Sequence, residues 1–522
     1  MKKTTIATKI YKNIKVYLKK IKPKSSKNLS NRLITVIQDI VLWVILWQKC
    51  FLNTIVENTY HYKNSLKRCN KKEKDTPLWK LSQIDKLSSY LKRDLNKFIN
   101  KYLSFVLSWV KSNKKKKDKT LSIKDRILNT VFVIHDTTDI QKPSAKKMED
   151  MGKTRDWSKK KSWKWYYIEW SIVFHKNKII PLILNCFSPN DTTYITWTTK
   201  YADHKEVCKE NIKTITNHYD KKDCINLFDR WYDSYNFIKY LTQTDNKYII
   251  RWTKSKSVIR PEYYNKIIHT CITHTERNNI FETVKNFTKS LTFLTHKRYK
   301  WFEIGRTKIY RKGVNFCKNT KDIIPANLLT IRITNNKYIK WLEEDISPFS
   351  QNKKDWKEIE KELYFYTNID INWIDDAIFV FLSYFKRWKI ETYFRYLKQI
   401  FLLEKICIIK FDKIKNLINL LPLATYFLYN KYYNLRNYEK HLTNWALEKI
   451  ITRSLSKKKQ QQKWQKKNFT KMMYILYIKY IKQKWLTQTI DSFSKFMRDE
   501  VWNKIIDYQL KDIIYCKKID SS

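Results

Sequence analysis

Continuous apolar runs recur between residues 121 and 251. Val131–Ile134 and Ile225–Phe228 contain no charged residue, and Lys247–Arg251 is apolar between its two charged ends. Short runs of this kind are typical of strands that are buried on both faces of a sheet. The segment therefore predicts three central strands.

A hairpin and two helices fit between these strands. Tyr166–Phe174 and Ile179–Phe187 flank the polar segment His175–Lys178, and together they predict an antiparallel hairpin. The stretches 203–218 and 233–241 have the spacing of amphipathic helices. The order strand, hairpin, helix, strand, helix, strand predicts a mixed α/β sheet.

The flanking regions have other patterns. Residues 1–120 predict basic helices, because the apolar positions from Trp79 to Phe105 recur every three or four residues. Residues 252–370 contain short β-like runs between charged loops and predict a mainly β insertion. Residues 371–440 and 441–522 again have helical patterns, and the last of these regions is basic.

The charge of the chain predicts a polyanionic partner. Lys and Arg number 106 against 49 Asp and Glu, for a formal net charge of +57. Nucleic acid is the commonest such partner; A/T-rich codons, which favour lysine, are an alternative source of the charge. The most apolar stretch, Leu33–Trp47, is shorter than the ~20 residues of a membrane span. Nine cysteines form no C-x-x-C pair. The sequence thus predicts a cytoplasmic, nucleoid-associated protein with no membrane partner.

Glycine is rare and tryptophan abundant, with 3 and 20 residues respectively. Three glycines cannot build a phosphate-binding loop of the Walker or dinucleotide type. We predict that several tryptophans are glycines in the native protein, encoded by UGA codons. Several of the indoles in a structure of this sequence should then be solvent-exposed or in loops, without consistent core partners. The alternative is that aromatic residues among lysines stack on DNA bases. The candidate positions are Trp157, Trp163, Trp165, Trp170, Trp231 and Trp252.

Two aspartates follow predicted strands. Asp136 comes after Val131–Ile134, and Asp229 comes directly after Ile225–Phe228. Functional sites of α/β sheets gather at strand ends, so these carboxylates could converge there. Each one taken alone is better explained as a turn residue that ends a strand, and Asp139 and Asp233 are rival candidates.

A second cluster is predicted on one helix. Tyr384, Arg387, Glu391 and Lys398 fall within about 60° of arc on a continuous α-helix. Next to them lies an apolar stripe. The row is either a functional surface or an ordinary salt-bridged helix face.

The spacing Tyr384-x2-Arg387-x3-Glu391-x6-Lys398 resembles the Tyr-Arg-Glu-Lys signature of bacterial insertion-sequence DDE transposases, of the insertion-sequence-four type. The resemblance extends over about residues 128–410.

The aspartate motifs strengthen this resemblance. Asp136-Thr-Thr is similar to the first catalytic motif of the family, and Phe228-Asp229-Arg230 is similar to the second. The family resemblance implies an α/β fold with an RNase H-like catalytic core. It also implies a mainly β insertion between the second Asp and the Glu, with helical N- and C-terminal regions on either side.

The family resemblance further implies phosphoryl transfer on DNA. Asp136, Asp229 and Glu391 would be the catalytic residues and would bind two Mg²⁺ ions, with Mn²⁺ as a substitute. In the family, one step frees a 3′ end of the element and the next joins it to target DNA.

Partners and DNA contacts follow from the same resemblance. Arg387 and Lys398 would hold phosphates, Tyr384 would hydrogen-bond a phosphate, and Arg230 would be a further phosphate contact. The expected partners are double-stranded DNA, as transposon ends and target, and a second copy of the chain in a homodimer.

Two alternatives remain open at this point. One is an RNase H-like, metal-dependent nuclease without strand transfer. The other is an inert DNA-binding protein derived from a transposase. Intact carboxylates at Asp136, Asp229 and Glu391 argue against the second.

Overall fold

The computed structural model describes residues 14, 16–18, 96–112, 121–141, 148–156, 161–195, 202–253, 255–264, 281–297, 299–312, 323–334, 362–400, 403, 406 and 408–433. The apolar stretch Leu33–Trp47, the C-terminal region 441–522 and Trp157 lie outside the described residues.

Strands and helices alternate in the first half of this part of the chain, and strands dominate between residues 257 and 367. The strands are β1 (Val131–Gln141), β2 (Gly152–Asp156), β3 (Lys161–His175), β4 (Lys178–Phe187), β5 (Cys224–Phe228), β6 (Lys247–Trp252), β7 (Ser257–Ile259), β8 (Phe281–Thr283), β9 (Phe293–His296), β10 (Tyr299–Lys312), β11 (Ile323–Ile333) and β12 (Glu362–Thr367). The helices with described bounds are α1 (Asn96–Ser112), α2 (Ile123–Asn129), α3 (His204–Thr216), α4 (Tyr235–Gln243), α5 (Val284–Phe287), α6 (Ile374–Tyr384), α7 (Trp388–Ile400) and α8 (Phe411–Tyr433).

All twelve of these strands belong to one mixed sheet. Its order is β2-β3-β1-β5-β6-β12-β11-β10-β7-β8, with β4 paired to β3 and β9 paired to β10. β1 runs parallel to β5, and β5 runs parallel to β6; the other described pairs are antiparallel. The predicted mixed α/β class is therefore confirmed.

The hairpin of β3 and β4 forms where the sequence predicts it. His175 pairs with Lys178, so the loop contains only Lys176 and Asn177. Both loop residues have positive φ, of 48° and 60°. Two-residue hairpin loops of this backbone type match the right-handed twist of the strands that they join.

The strands of the 252–370 region have other boundaries than the sequence predicts. A single run over Thr292–Phe302 is expected, but the chain turns between β9 and β10, and His296 pairs with Tyr299. The turn contains no glycine or proline, so the apolar pattern does not reveal it. These strands also extend the main sheet, because β12 pairs with β6.

Pairing of the parallel strands sets the position of the two aspartates. Val131–Ile134 pairs with Cys224–Leu227, so the last paired residues of β1 and β5 lie side by side. Asp136 is two residues beyond this pairing on β1, and Asp229 follows the end of β5. Both carboxylates therefore lie at the same end of the β1–β5 strand pair, just beyond its last paired residues.

The four-residue row is predicted on one continuous α-helix, but the structure divides this helix into two. A 3₁₀ turn, Phe385–Arg387, joins α6 to α7. Aromatic rings pack along this turn, with Phe385 4.8 Å from Phe381 and 5.1 Å from Trp388 between ring centroids. A 3₁₀ turn advances more degrees per residue than an α-helix, so residues before it are rotated away from those after it.

The sheet belongs to one compact unit, Leu91–Pro422. A second unit combines Met1–Tyr90 with Leu423–Ser522. In that unit the ring of Tyr17 packs on Tyr426, with 6.0 Å between centroids. Among the described helices, none is long and apolar enough to cross a membrane.

The tryptophan hypothesis has mixed results. Trp231 is 69% exposed, as predicted. The prediction of exposed indoles is wrong at Trp165, Trp170 and Trp252, which are buried. Trp252 is the last residue of β6 and lies opposite Tyr364, so it needs no glycine-like backbone. The indole N–H groups of these three buried residues nevertheless have no hydrogen-bond partner among the described residues.

Candidate functional site

Arg387 lies between two of the three predicted carboxylates. Its Nη2 donates to Glu391 Oε1 at 2.8 Å, and its Nη1 donates to Asp136 Oδ2 at 3.4 Å. The Arg387 side chain is only 6% exposed, whereas Asp136 is 16% and Glu391 is 45% exposed. Two motifs that are 251 residues apart in sequence thus meet at one guanidinium group.

Asp229 lies close enough to interact electrostatically with both Asp136 and Arg387. It precedes the 3₁₀ turn Arg230–Tyr232, but its side chain makes no capping hydrogen bond there. Its carboxylate is therefore not used by the turn. The structure brings together all three carboxylates that the sequence analysis selected.

The environment of Asp136 favours its protonated form. Burial is the largest cause that raises the pKa of Asp136, and the negative charges of Asp229 and Glu391 act in the same direction. The Arg387 guanidinium lowers this pKa, and the net value is about 7. One guanidinium does not compensate three carboxylates, so the cluster has an excess of negative charge.

Burial would lower the pKa of the Arg387 guanidinium, but the surrounding acidic groups outweigh that effect and raise it. Arg387 is therefore a fixed positive charge. Its Nε has no hydrogen-bond partner among the described residues, and neither does the hydroxyl of Tyr384. Tyr384 itself is buried, with its ring 4.9 Å from that of Phe365. Tyr384 therefore does not belong to the exposed polar row that the spacing predicts for this helix.

The other predicted DNA contacts have distinct surroundings. Lys398 Nζ lies 3.2 Å from Asp139 Oδ1, and Asp139 also accepts a hydrogen bond from Gln141. Arg230 is exposed, and its guanidinium lies 5.9 Å from the centre of the Trp231 ring. Neither cation is buried.

The rival carboxylates have cationic partners of their own. Asp139 is paired with Lys398, as described above. Asp233 is buried and forms ion pairs with Arg311 and, at 3.1 Å, with Lys256. Asp139 and Asp233 therefore each have ion-pair partners of their own, and neither belongs to the group of Asp136, Asp229 and Glu391.

Glu169 is an acidic residue that the sequence analysis missed. It lies on β3 and is fully buried, and Thr137 and Tyr232 both donate hydrogen bonds to it. Burial raises the pKa of Glu169 well above its usual value. The sequence contained one sign of this buried acid: Glu169 is the single acidic residue in the largely apolar run Tyr166–Phe174.

His135, Glu169 and Cys208 form a buried group whose possible ligand atoms lie within 4.8 Å of one another. His135 Nδ1 is 2.9 Å from Ser171 Oγ, and Nε2 is 3.1 Å from Asn226 Oδ1. Burial lowers the pKa of His135 to about 4. Both histidine nitrogens are thus already used, and hydrogen bonds account for the group.

The arrangement around Arg387 offers carboxylate oxygens with an excess of negative charge, beyond the last paired residues of β1 and β5. Carboxylate oxygens are the ligands that Mg²⁺ and Mn²⁺ prefer. No protein-family model matches this chain, and no curated protein matches it.

Proposed function

We propose that the protein is a DNA transposase that cuts and joins DNA at Asp136, Asp229 and Glu391. The observation that carries the proposal is the arrangement of these carboxylates: Arg387 contacts Asp136 and Glu391, and Asp229 lies close enough to interact electrostatically with Asp136 and Arg387. The motifs were selected separately from the sequence, and the same three residues are neighbours in the fold.

The strand arrangement supports an RNase H-like core as part of the proposal. β4, β3, β1, β5 and β6 are neighbours in that order, and only β3 runs against the others. Asp136 is on the central strand of this set, and Asp229 follows the strand beside it. Strands β7 to β12 lie between Asp229 and Glu391 in sequence, where the family resemblance places an insertion.

Divalent cations fit this donor set. Three carboxylates bear more negative charge than the single guanidinium of Arg387 compensates, and Asp229 and Glu391 both act to raise the pKa of Asp136. Asp136, Asp229 and Glu391 would hold two Mg²⁺ ions, for which Mn²⁺ would substitute. When bound, such ions supply activation of the attacking oxygen and stabilisation of the leaving oxygen.

The protein's own residues would position the DNA. Arg387 donates to both Asp136 and Glu391, and it would also contact a phosphate near the scissile bond. Lys398 would exchange Asp139 for a DNA phosphate. Arg230 is exposed and follows Asp229 directly, so it would contact the DNA backbone. Tyr384 is buried, and it would hold the Arg387 side chain in position.

The reaction would have two steps. Water attacks a phosphodiester at the end of the element, and the departing oxygen becomes a free 3′-hydroxyl. That hydroxyl would then attack a phosphodiester of the target. The bond between the phosphorus and the target's 3′-oxygen would break, the 3′-oxygen would leave as a hydroxyl, and the new phosphodiester would join the 3′ end of the element to the target's 5′ phosphate. Double-stranded DNA is the partner that the net charge of +57 fits. A homodimer would hold two ends together.

The test uses a labelled DNA fragment that carries the sequence flanking the coding region, where the proposal expects inverted repeats. The wild-type protein is expected to cut it only with Mg²⁺ or Mn²⁺. Asp136→Asn, Asp229→Asn and Glu391→Gln should each abolish cutting and leave binding of the fragment intact. Glu262→Gln is the matched control, because Glu262 is an exposed carboxylate in the helical turn that follows β7. Normal cutting by any of the three variants would remove that residue from the site.

Strand transfer separates the alternatives. Cutting without joining to a target plasmid would identify a metal-dependent nuclease. Binding without cutting, in any divalent cation, would identify an inert DNA-binding protein. Joined products with a short target duplication would support the transposase.

A further inference from the structure

Glu169 is a carboxylic acid in the middle of β3, away from solvent. Tyr232 Oη lies 2.8 Å from each of its oxygens, and Thr137 Oγ1 donates to Oε2. The two hydroxyl groups are also 3.1 Å from each other. A buried polar network of this kind is costly unless every member is satisfied, and it then specifies one arrangement of the groups that it joins.

Each hydroxyl belongs to a segment that bears one of the proposed metal ligands. Thr137 follows Asp136 directly, and its backbone N–H donates to Asp136 Oδ1 at 2.9 Å. Tyr232 ends the 3₁₀ turn after Asp229, and its backbone N–H donates to the Asp229 carbonyl at 3.1 Å. Glu169 therefore connects the middle of β1 with the turn that follows β5, through one hydroxyl group on each.

We infer that Glu169 is a positioning residue that fixes Asp136 and Asp229 relative to each other through Thr137 and Tyr232. The inference rests on the proposed function, because it takes Asp136 and Asp229 as metal ligands. Groups that orient metal-binding carboxylates typically change metal affinity by about 10–100-fold when they are removed. The same size of effect is expected here.

Two conservative variants test this inference in the full-length protein. Tyr232→Phe removes a hydroxyl and keeps the ring, and Thr137→Val removes a donor and keeps the shape. Each is expected to weaken Mn²⁺ binding about 10–100-fold and to raise the Mg²⁺ concentration needed for half-maximal cutting. Tyr248→Phe is the matched control, since Tyr248 is a buried tyrosine of the same hydrophobic cluster outside the network. Its Mn²⁺ affinity should equal that of the wild type.

A double-mutant cycle shows whether Tyr232 acts through Glu169. In a Glu169→Leu background, Tyr232→Phe should cause little further loss of Mn²⁺ affinity. Two independent, multiplying losses would overturn the inference. If Glu169→Leu does not fold, the two hydroxyl variants alone decide.

The other outcomes distinguish this inference from the proposed function. Equal Mn²⁺ affinity in the wild type, Tyr232→Phe and Thr137→Val would overturn the inference and leave the proposed function standing. A wild-type protein that binds no Mn²⁺ would overturn both. Zinc that co-purifies with the protein and is lost in Cys208→Ala would also overturn the inference, because Glu169 would then be a ligand of a buried ion.

Discussion

Lys398 Nζ lies 3.2 Å from Asp139 Oδ1, so the last residue of the four-residue row pairs with β1 three residues beyond Asp136. The side chains are 24% and 29% exposed, which leaves both within reach of solvent and of DNA. Partly exposed pairs of this kind contribute little to stability, at most about 1 kcal/mol. A DNA phosphate could therefore replace Asp139 as the partner of Lys398.

Asp139→Asn should leave cutting intact and strengthen DNA binding slightly. The change removes the charge that holds Lys398, so Lys398 becomes available to phosphate without a competing carboxylate. Lys398→Ala should reduce the cutting rate far more than the affinity, because it removes one contact near the reaction centre. Cutting assays and filter binding on the same fragment measure both. Loss of cutting in Asp139→Asn would instead place Asp139 among the catalytic carboxylates.

Arg387→Gln should destabilise the metal-free protein by about 3–5 kcal/mol at pH 8, because it leaves a buried carboxylate without its counter-charge. The loss should be smaller at pH 5, where Asp136 is protonated. Denaturant unfolding at both pH values measures the difference. Arg332→Gln is the control, since Arg332 forms a more exposed pair with Glu362. An equal loss for Arg387→Gln at both pH values would contradict the charge argument.

Metal binding should strengthen as the pH rises through about 7. The pKa of Asp136 is raised from its usual value to about 7, so below that pH an ion must displace a proton. The sign for stability is the opposite. The folded protein binds more protons than the unfolded chain between about pH 4 and 7, so the metal-free protein loses stability as the pH rises through this range. Burial also raises the pKa of Glu169, so its ionisation likewise lowers the stability of the metal-free protein as the pH rises.

Thermal unfolding with and without Mg²⁺ at pH 6 and pH 8 checks both statements. Stabilisation by Mg²⁺ should be larger at pH 8. Without metal, Asp136→Asn should lose less stability than the wild type between these pH values, because it cannot ionise. A wild-type protein whose Mg²⁺ affinity does not change with pH would contradict the prediction.

DNA affinity should fall steeply with salt. Each neutralised phosphate releases counterions, and contact with six phosphates would give a slope of about −5 in a plot of log affinity against log salt concentration. Lys398→Ala should make the slope shallower by about one unit. Fluorescence anisotropy over a range of KCl concentrations measures both slopes. A flat line would mean that the net charge of +57 reflects codon composition and does not serve DNA binding.

Trp170 and Trp231 should differ sharply in their effect on stability. Trp170 is buried between Tyr393 and Phe394, so Trp170→Ala should cost about 3–5 kcal/mol. Trp231→Ala should change stability by no more than about 0.5 kcal/mol, since its indole is exposed. Denaturant unfolding measures both. Peptide masses from the native host would show directly whether residue 231 is tryptophan or glycine.

Local pattern determined the elements that position the site. Continuous apolar runs predicted β1, β5 and β6, because a strand buried on both faces can tolerate almost no charge. The turn between β3 and β4 was visible as four polar residues between apolar runs. The spacing of Arg387 and Glu391 placed both on one helix face, and residues four apart on a helix are close enough to pair.

Tertiary structure decided the partners across elements. Spacing alone placed Tyr384 on a polar row, but the 3₁₀ turn at Phe385–Arg387 rotates it into the core. The pairing of Lys398 with Asp139 and the bonds of Glu169 to Thr137 and Tyr232 depend on which strands are neighbours and in which register. Hydrophobic periodicity encodes the buried face of an element, whereas the choice of neighbour is a property of the assembled sheet.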